Sequence, residues 1–180
     1  MNKMIVVSGV NGCGKSTTVK NYLLDGKCET DMIPYDGKRK LPLTIDHNCK
    51  IIALGDYLRQ LKFPGSDQYH TKDELLFAIE YVMKNFEDYS IIVEGTQTIT
   101  TLPFNDSVMK LCKQYDYIFK FIYLYCDYDN IEKRLKARNA NAKINEKNVK
   151  SLFKRFENLG KQVPITIIDN NQMVDLSDVI

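Results

Sequence analysis

The stretch GVNGCGKS, Gly9 to Ser16, matches the phosphate-binding pattern G-x-x-x-x-G-K-[ST] at all of its fixed positions. Glycines let successive backbone N–H groups turn inward around an anion, and a helix that follows adds the positive end of its dipole. Lys15 has the reach to bind the β- and γ-phosphates of a nucleotide, and the Ser16 hydroxyl suits Mg²⁺. The predicted nucleotide-binding residues are Gly9, Asn11, Gly12, Cys13, Gly14, Lys15, Ser16 and Thr17.

A second candidate is Glu94, which closes the apolar run SIIVE. A charge that ends a buried strand is costly unless it faces a cation or a polar network. We expect it to hold the water shell of Mg²⁺, so Ser16 and Glu94 form the predicted metal site. The following Gly95 would let substrate or backbone approach closely. The alternative is an acid that simply emerges into solvent.

The third candidate is a pair of arginines, Arg134 and Arg138, in the stretch DNIEKRLKARN. Their spacing of four places both on one face of a predicted helix. Beside the phosphate loop, their guanidinium groups could neutralise the charge on a transferred phosphoryl group, as Lys15 could. Lys133 and Lys136 make the helix basic all round, and an ordinary solvated basic helix is the alternative interpretation.

Alternating strands and helices must position these residues. Helix-start signals are Thr71 with Glu74, a capping box, and Asp129 with Glu132. Apolar runs predict parallel strands at 4–8, 90–94, 117–126 and 164–168, and a run at 50–55 that could pair in a hairpin with 41–46. Helical patterns fill 15–24, 71–86, 105–113, 130–138 and 145–159.

These elements predict an α/β fold of the three-layer P-loop NTPase type, in a single domain over residues 1–180. We expect a mostly parallel sheet of about five strands, with helices on both faces and a short lid. Ligands of such sheets gather beyond the carboxyl ends of the strands, which is where every candidate residue falls.

Composition sets outer limits on the function. Hydrophobic residues make up 44% of the chain and charged residues 27%, as in ordinary globular proteins. No run of 18 apolar residues and no signal peptide is visible, so we expect a cytoplasmic protein. The five cysteines are scattered and predict reduced thiols with no zinc site. Cys13 lies at a helix N-terminus, where a thiol pKa can fall, but we interpret it as filling the loop.

Charge is unevenly distributed along the chain. Residues 131–161, which we call the basic segment, carry ten basic residues against three acids, a charge of +7 that leaves −5 for the rest. Such a segment is either a solvated lysine-rich surface or a surface for phosphates, of a nucleotide or of a polynucleotide backbone.

Taken together, GVNGCGKST, the acid closing IIVEG and the spacing of Arg134 and Arg138 resemble kinases of the adenylate-kinase-like P-loop group. No N-K-x-D guanine motif is present. The middle third resembles phage-type kinases that phosphorylate 5-hydroxymethyluracil within DNA, in its segments LGDY, GSD and EG. In that family a second glycine and a threonine flank the aspartate, whereas here Gly65-Ser66 precedes Asp67 and Gln68 follows it.

The resemblance gives Asp67 a role. A kinase with an alcohol acceptor gains from a carboxylate that takes or orients the hydroxyl proton. The alternative is that Asp67 caps the next helix, although Thr71 is the better cap. Asp56 is the rival acid, and Tyr57 could stack on a base. The predicted substrate residues are therefore Asp56, Tyr57 and Asp67.

The leading hypothesis is a kinase that uses ATP and Mg²⁺ to phosphorylate a hydroxymethylated pyrimidine in DNA, in the host cytoplasm if a phage encodes it. The basic segment would then grip the DNA backbone. One alternative is a kinase of free nucleoside monophosphates, for whose acceptor phosphate only Arg39 and Arg59 are available before Glu94. Another is a regulatory module that hydrolyses ATP slowly. IIDNNQ, after the last strand, is a candidate adenine contact by position.

Overall fold

The computed structural model describes residues 1–23, 27–59, 65–142 and 144–178. Its strands are β1 (Lys3–Ser8), β2 (Cys28–Pro34), β3 (Lys40–Asp46), β4 (Ile51–Leu54), β5 (Ser90–Gly95), β6 (Ile118–Tyr125) and β7 (Ile165–Asp169). Its helices are α1 (Lys15–Leu23), α2 (Lys72–Asn85), α3 (Leu102–Gln114), α4 (Tyr128–Arg138) and α5 (Glu146–Gly160). Short 3₁₀ turns occupy Gly65–Gln68, Thr98–Thr100 and Leu176–Asp178.

All seven strands belong to one sheet, in the order β2-β3-β4-β5-β1-β6-β7. From β4 to β7 neighbouring strands run parallel, whereas β2, β3 and β4 are joined antiparallel. β1 lies between β5 and β6, with Val7 opposite Glu94 and Ser8 opposite Gly95 and Tyr123. The phosphate loop therefore starts in the middle of the parallel part, between the ends of two neighbouring strands.

The prediction of about five strands was wrong, because the sheet has seven. The predicted hairpin is present as β3 and β4, and both strands belong to the main sheet. β2 was not predicted, because its sequence CETDMIP is polar and Ile33 is its only buried residue. Tertiary pairing with β3 makes it a strand at the edge of the sheet, where a solvated polar sequence is tolerated.

Two apolar layers cover the sheet, as expected for a three-layer α/β fold. Met4 and Val6 of β1 face the layer that contains side chains of α2, α3 and α5. Ile5 and Val7 point the opposite way, into the layer formed with α1 and α4. This alternation explains why β1 reads as a continuous apolar run: both of its faces are buried.

Capping residues define the helix starts. The capping box at α2 is confirmed, since Thr71 accepts a hydrogen bond from Glu74 N. The predicted start of α4 at Asp129 was wrong: Asp127 is the cap and accepts from Asn130 N at 2.8 Å. The predicted helix end at Leu24, Pro64 just before Gly65, and Lys143 of the basic segment lie outside the described residues. No helix in the described part of the chain has the length and apolarity needed to span a membrane.

Candidate active site

The phosphate loop leaves β1 after Ser8 and enters α1 at Lys15. Gly14 has a φ of +98°, and a Cβ there would lie 2.9 Å from Nδ2 of Asn170, so the turn requires glycine. Lys15 is buried, and its ammonium group donates to the carbonyls of Gly9 at 3.1 Å and Val10 at 3.2 Å. In this arrangement the ammonium group of Lys15 is hydrogen-bonded to the backbone of the phosphate loop. Gly9, Gly12, Cys13 and Gly14 are also buried, whereas Asn11 and Thr17 are exposed.

Ser16 and Glu94 meet where α1 begins and β5 ends. The Ser16 hydroxyl donates to Oε1 of Glu94 at 2.8 Å, and the Glu94 side chain belongs to a residue only 3% exposed. Burial raises the pKa of Glu94, opposed by the positive charge of Lys15 and by the hydrogen bond from Ser16. The two predicted metal ligands are therefore in contact, and the positive charge near the Glu94 carboxylate does not fully offset its burial.

Cys13 does not have the lowered pKa that its place at a helix N-terminus suggested. Burial raises the pKa of its thiol, and this outweighs the lowering effect of Lys15. A buried neutral thiol is consistent with the interpretation that Cys13 fills the loop.

The 3₁₀ turn Gly65–Gln68, which we call the acid turn, packs against the end of β5. A Cβ on Gly55 would lie 2.5 Å from the Gly65 Cα, and a Cβ on Gly65 would collide with Oε1 of Glu94. These two glycines let the turn lie against the buried carboxylate. Asp67 is exposed at this point, and its negative charge also raises the pKa of Glu94. The acid turn, which carries Asp67, thus lies against the Ser16–Glu94 pair.

Asp56 has a different environment from that of Asp67. It is 3% exposed, and Oδ1 accepts from the Thr30 hydroxyl at 3.2 Å and from the backbone N–H groups of Leu58 and Arg59. Its second oxygen pairs with Nε of Arg59 at 3.2 Å. Because these contacts engage both oxygens, Asp56 stabilises the chain after β4 and is poorly placed to receive a proton.

Tyr57 is 1% exposed and lies in the core beneath the acid turn. Its hydroxyl is 2.7 Å from the position that a Gly65 Cβ would occupy, on the same side as Glu94. With its ring enclosed, it offers no face on which a base could stack in this conformation.

Arg134 and Arg138 have unequal positions. Arg134 donates to the carbonyl of Cys13 at 2.9 Å and to the carbonyls of Asn170 and Asn171 at 2.7 and 2.9 Å. It therefore ties α4 to the phosphate loop and to the segment after β7. Arg138, one turn later, is exposed and forms no ion pair with a described residue.

Sequence reasoning missed two contacts with the phosphate loop, because it assigned the segment IIDNNQ, which contains Asn170, to adenine and did not consider Thr96. Asn170 is fully buried, and its amide donates to the carbonyl of Cys13 at 2.6 Å, so the segment after β7 braces the phosphate loop. Thr96, just past Glu94, has its hydroxyl 3.2 Å from Oδ1 of Asn11. Their positions just beyond strand ends were the only available signal, since polar residues there are common in any α/β protein.

The donor set fits a Mg²⁺ ion held together with nucleotide phosphates. A hydroxyl and one carboxylate are hard oxygen ligands, and Mg²⁺ in such sites keeps waters and phosphate oxygens for its remaining positions. Accordingly, the described residues contain no cluster of three or more metal-binding side chains. The buried, undercompensated carboxylate of Glu94 is the group that a cation would stabilise.

The fold and this site together define a P-loop kinase, a nucleotide-binding phosphotransferase. The family of 5-hmdU DNA kinases matches residues 1–166, and the chain belongs to that family. The tunicamycin resistance protein of Deinococcus radiodurans has a TM-score of 0.51 at 19% identity, covering 96% of this chain and 91% of its own. A gluconokinase from Sinorhizobium meliloti 1021 has a TM-score of 0.48 at 14% identity, covering 98% and 86%. No curated protein matches the chain.

Proposed function

We propose that this protein transfers the γ-phosphate of ATP to the hydroxymethyl oxygen of 5-hydroxymethyluracil within DNA. The observation that carries the proposal is the contact of the acid turn, which carries the exposed Asp67, with Glu94 of the Ser16–Glu94 pair. A carboxylate next to the phosphate loop is what an alcohol acceptor requires, because its proton must leave as the oxygen attacks phosphorus. Membership of the DNA kinase family supports the choice of acceptor.

In this proposal each residue has one task. Lys15 would exchange its two loop carbonyls for phosphate oxygens, and Ser16 and Glu94 would hold Mg²⁺, which would neutralise charge on the phosphates. Asp67 accepts or orients the acceptor proton while the new oxygen–phosphorus bond forms and the bond to ADP breaks. Arg134 holds the loop in shape, and Arg138 is free to approach the transferred group.

The ion pairs formed by two arginines, Arg39 and Arg59, favour a DNA acceptor over a free nucleoside monophosphate. Arg39 forms an ion pair with Glu74, and Arg59 forms one with Asp56. Both arginines that could have bound an acceptor phosphate are therefore engaged by carboxylates. An acceptor without a terminal phosphate, such as a base within a strand, needs no such arginine.

The charge pattern supports the same acceptor. Lys147, Lys154 and Arg155 of α5 are exposed and form no ion pair with a described residue. At the opposite edge of the sheet, β2 exposes Glu29 and Asp31. DNA would accordingly lie along α4 and α5, with the target base turned out of the stack towards the phosphate loop.

Transfer of a labelled γ-phosphate from ATP tests the proposal. The acceptors are DNA that contains 5-hydroxymethyluracil, the same DNA with thymine in its place, and a panel of free nucleoside monophosphates. We expect label in the modified DNA alone, and its loss in Asp67→Asn. Label in a free nucleotide would refute the DNA acceptor and leave the P-loop kinase assignment intact.

A further inference from the structure

The edge hairpin formed by β2 and β3 carries an arginine whose contacts lead to the acid turn. Arg39 sits in the connection between the two strands, where Oδ1 of Asp36 accepts from the N–H groups of Lys38 at 3.1 Å and Arg39 at 2.7 Å. The N–H of Tyr35 donates to the carbonyl of Arg39 at 3.0 Å. Four residues thus fix the backbone from which the Arg39 side chain projects.

The guanidinium of Arg39 contacts both helix α2 and the acid turn. One nitrogen forms the ion pair with Oε1 of Glu74, and the other donates to the carbonyl of Gln68 at 3.1 Å. Gln68 directly follows Asp67 in the acid turn. Oε2 of Glu74 accepts from the N–H of His70 at 2.7 Å, so the same ion pair also holds the chain between the turn and α2.

The Arg39–Glu74 ion pair holds the backbone around it more firmly than the solvent-exposed ion pairs of the helices do. The Glu74 side chain is 6% exposed and that of Arg39 is 26% exposed, whereas the pairs of α2, α4 and α5 involve side chains at least 36% exposed. Partly desolvated pairs with two directed hydrogen bonds hold geometry more strongly than solvated ones. A lysine could not reproduce the contacts, because it lacks the planar fork that reaches a carboxylate and a carbonyl together.

The body of β3 supports the acid turn from below. The carbonyl of Pro42 accepts from the Tyr69 hydroxyl at 2.5 Å and from the N–H of Gly55 at 3.0 Å. The Thr44 hydroxyl donates to the carbonyl of Gly55 at 2.8 Å. Asp67 itself is exposed, so its location depends on the backbone of the turn, and that backbone is held by β3 and Arg39.

We propose that Arg39 is a positioning residue of the acceptor site, which holds the acid turn so that Asp67 faces the phosphate loop. The inference rests on the proposed role of Asp67. It gives the edge hairpin a function: the two antiparallel strands added to the parallel sheet form the scaffold of the acceptor side, and the nucleotide side lies on β1, β6 and the segment after β7.

Arg39→Lys, which keeps the charge and loses the fork, is the central variant. We expect kcat for transfer to modified DNA to fall by about 10- to 100-fold, the loss that a misplaced reacting group causes. The KM for ATP and the slow release of phosphate from ATP to water should stay at wild-type values, because the nucleotide side is untouched. Lys38→Ala, in the same connection and exposed, is the matched control and should transfer normally.

A double variant distinguishes positioning from a general loss of structure. Arg39→Lys combined with Asp67→Asn should be no slower than Asp67→Asn alone, since both changes remove the same contribution. Glu74→Gln breaks the ion pair from the other side and should likewise slow phosphate transfer while leaving ATP hydrolysis unchanged. It therefore tests the inference even if Arg39→Lys does not fold. Thermal unfolding of each variant establishes that it is folded.

Three results would overturn the inference. One is a folded Arg39→Lys that transfers normally while Asp67→Asn is inactive, which leaves the proposed function standing. Another is an equal loss of transfer and hydrolysis in Arg39→Lys and Glu74→Gln. The third is normal transfer by Asp67→Asn, which removes the role proposed for Asp67 and the positioning role of Arg39 with it.

Discussion

Two aspartates near the acceptor side have opposite environments, and this difference predicts opposite phenotypes. Asp67 is exposed beside Glu94, whereas Asp56 is buried and engaged through both oxygens. We expect Asp67→Asn to lower the transfer rate by roughly 10²- to 10⁴-fold, the usual contribution of a general base, with unfolding unchanged. Asp56→Ala should instead lower the free energy of unfolding by about 1–3 kcal/mol, because the Thr30 hydroxyl and the backbone N–H groups that donate to Oδ1 lose their acceptor.

Steady-state transfer assays and urea unfolding of the two aspartate variants check that prediction. A stable, fully active Asp67→Asn with an inactive, stable Asp56→Ala would exchange the two roles.

Glu94 should illustrate a conflict between stability and function. Burial raises the folded-state pKa of Glu94 above its ordinary value of 4.5, so the folded protein keeps this proton at pH values where the unfolded chain has lost it. Its contribution to stability is therefore complete below the unfolded-state pKa and is lost as pH rises through the folded-state pKa. Glu94→Gln removes this dependence, so the variant should gain stability relative to the wild type from about pH 4.5 upward.

Urea unfolding without nucleotide, at a series of pH values, measures that difference for Glu94→Gln. The same variant should lose phosphate transfer and most of the stabilisation that Mg²⁺ and ATP give to the wild type. A stability difference that stays constant with pH would show that the raised pKa is not a property of Glu94.

Single side chains also mark the limit of what the sequence could predict about the site. The spacing in GVNGCGKS determines the phosphate loop because its chemistry depends on backbone conformation and one helix start. The spacing of Arg134 and Arg138 says nothing of their partners, and Arg134 proved to be bound to three backbone carbonyls. Likewise, Asp56 and Asp67 are alike in sequence, and only tertiary burial separates them.

At the scale of elements, the acid turn requires glycine at position 65 for two reasons, its backbone conformation and the lack of space for a Cβ. Gly65 has a φ of +78°, and a Cβ there would collide with Glu94 and lie 2.7 Å from the Tyr57 hydroxyl. Gly37 has the same φ of +78°, but beyond its two chain neighbours no described residue has an atom within 4 Å of the position that a Cβ would occupy there. Gly37→Ala therefore measures backbone strain alone, about 1–2 kcal/mol, and Gly65→Ala should cost that plus the collision.

Chemical denaturation of the two glycine variants gives the cost of the collision as their difference. Gly65→Ala should also lose transfer, because the turn must move away from Glu94, whereas Gly37→Ala should keep it. Equal stabilities and equal activities would mean that the acid turn does not rest on the carboxylate.

The elements that sequence could and could not predict differ in how they are stabilised. β1 and β5 are buried on both faces, so composition alone predicts them. β2 is polar and exposed, and becomes a strand only because β3 offers its free edge. The start of α4 was displaced by two residues, since Asp127 and Asp129 are both acceptable caps and the backbone at the end of β6 decides between them.

Over the whole molecule, the exposed lysines of α5 differ from the edge hairpin, which exposes acids as well as Lys38 and Lys40. The β2 edge exposes Glu29 and Asp31, and α5 exposes Lys147 and Lys154, seven residues apart on one helical face. No sequence pattern separates a DNA-binding helix from a solvated one, since both are rich in lysine. The dependence of binding on salt does separate them, because each phosphate contact releases a counterion.

If α5 contacts the DNA backbone, removing two of its lysines must weaken the salt dependence as well as the affinity. The slope of log K against log salt is about 0.9 for each phosphate contact, so Lys147→Ala with Lys154→Ala should lower its magnitude by about 2. Over a fourfold rise in salt, the double variant should lose about one decade less affinity than the wild type does. Lys38→Ala with Lys40→Ala, also exposed but in the edge hairpin, should leave the slope unchanged. Titration of a fluorescent duplex at several salt concentrations measures all three slopes, and equal slopes for the two double variants would place the DNA elsewhere on the protein.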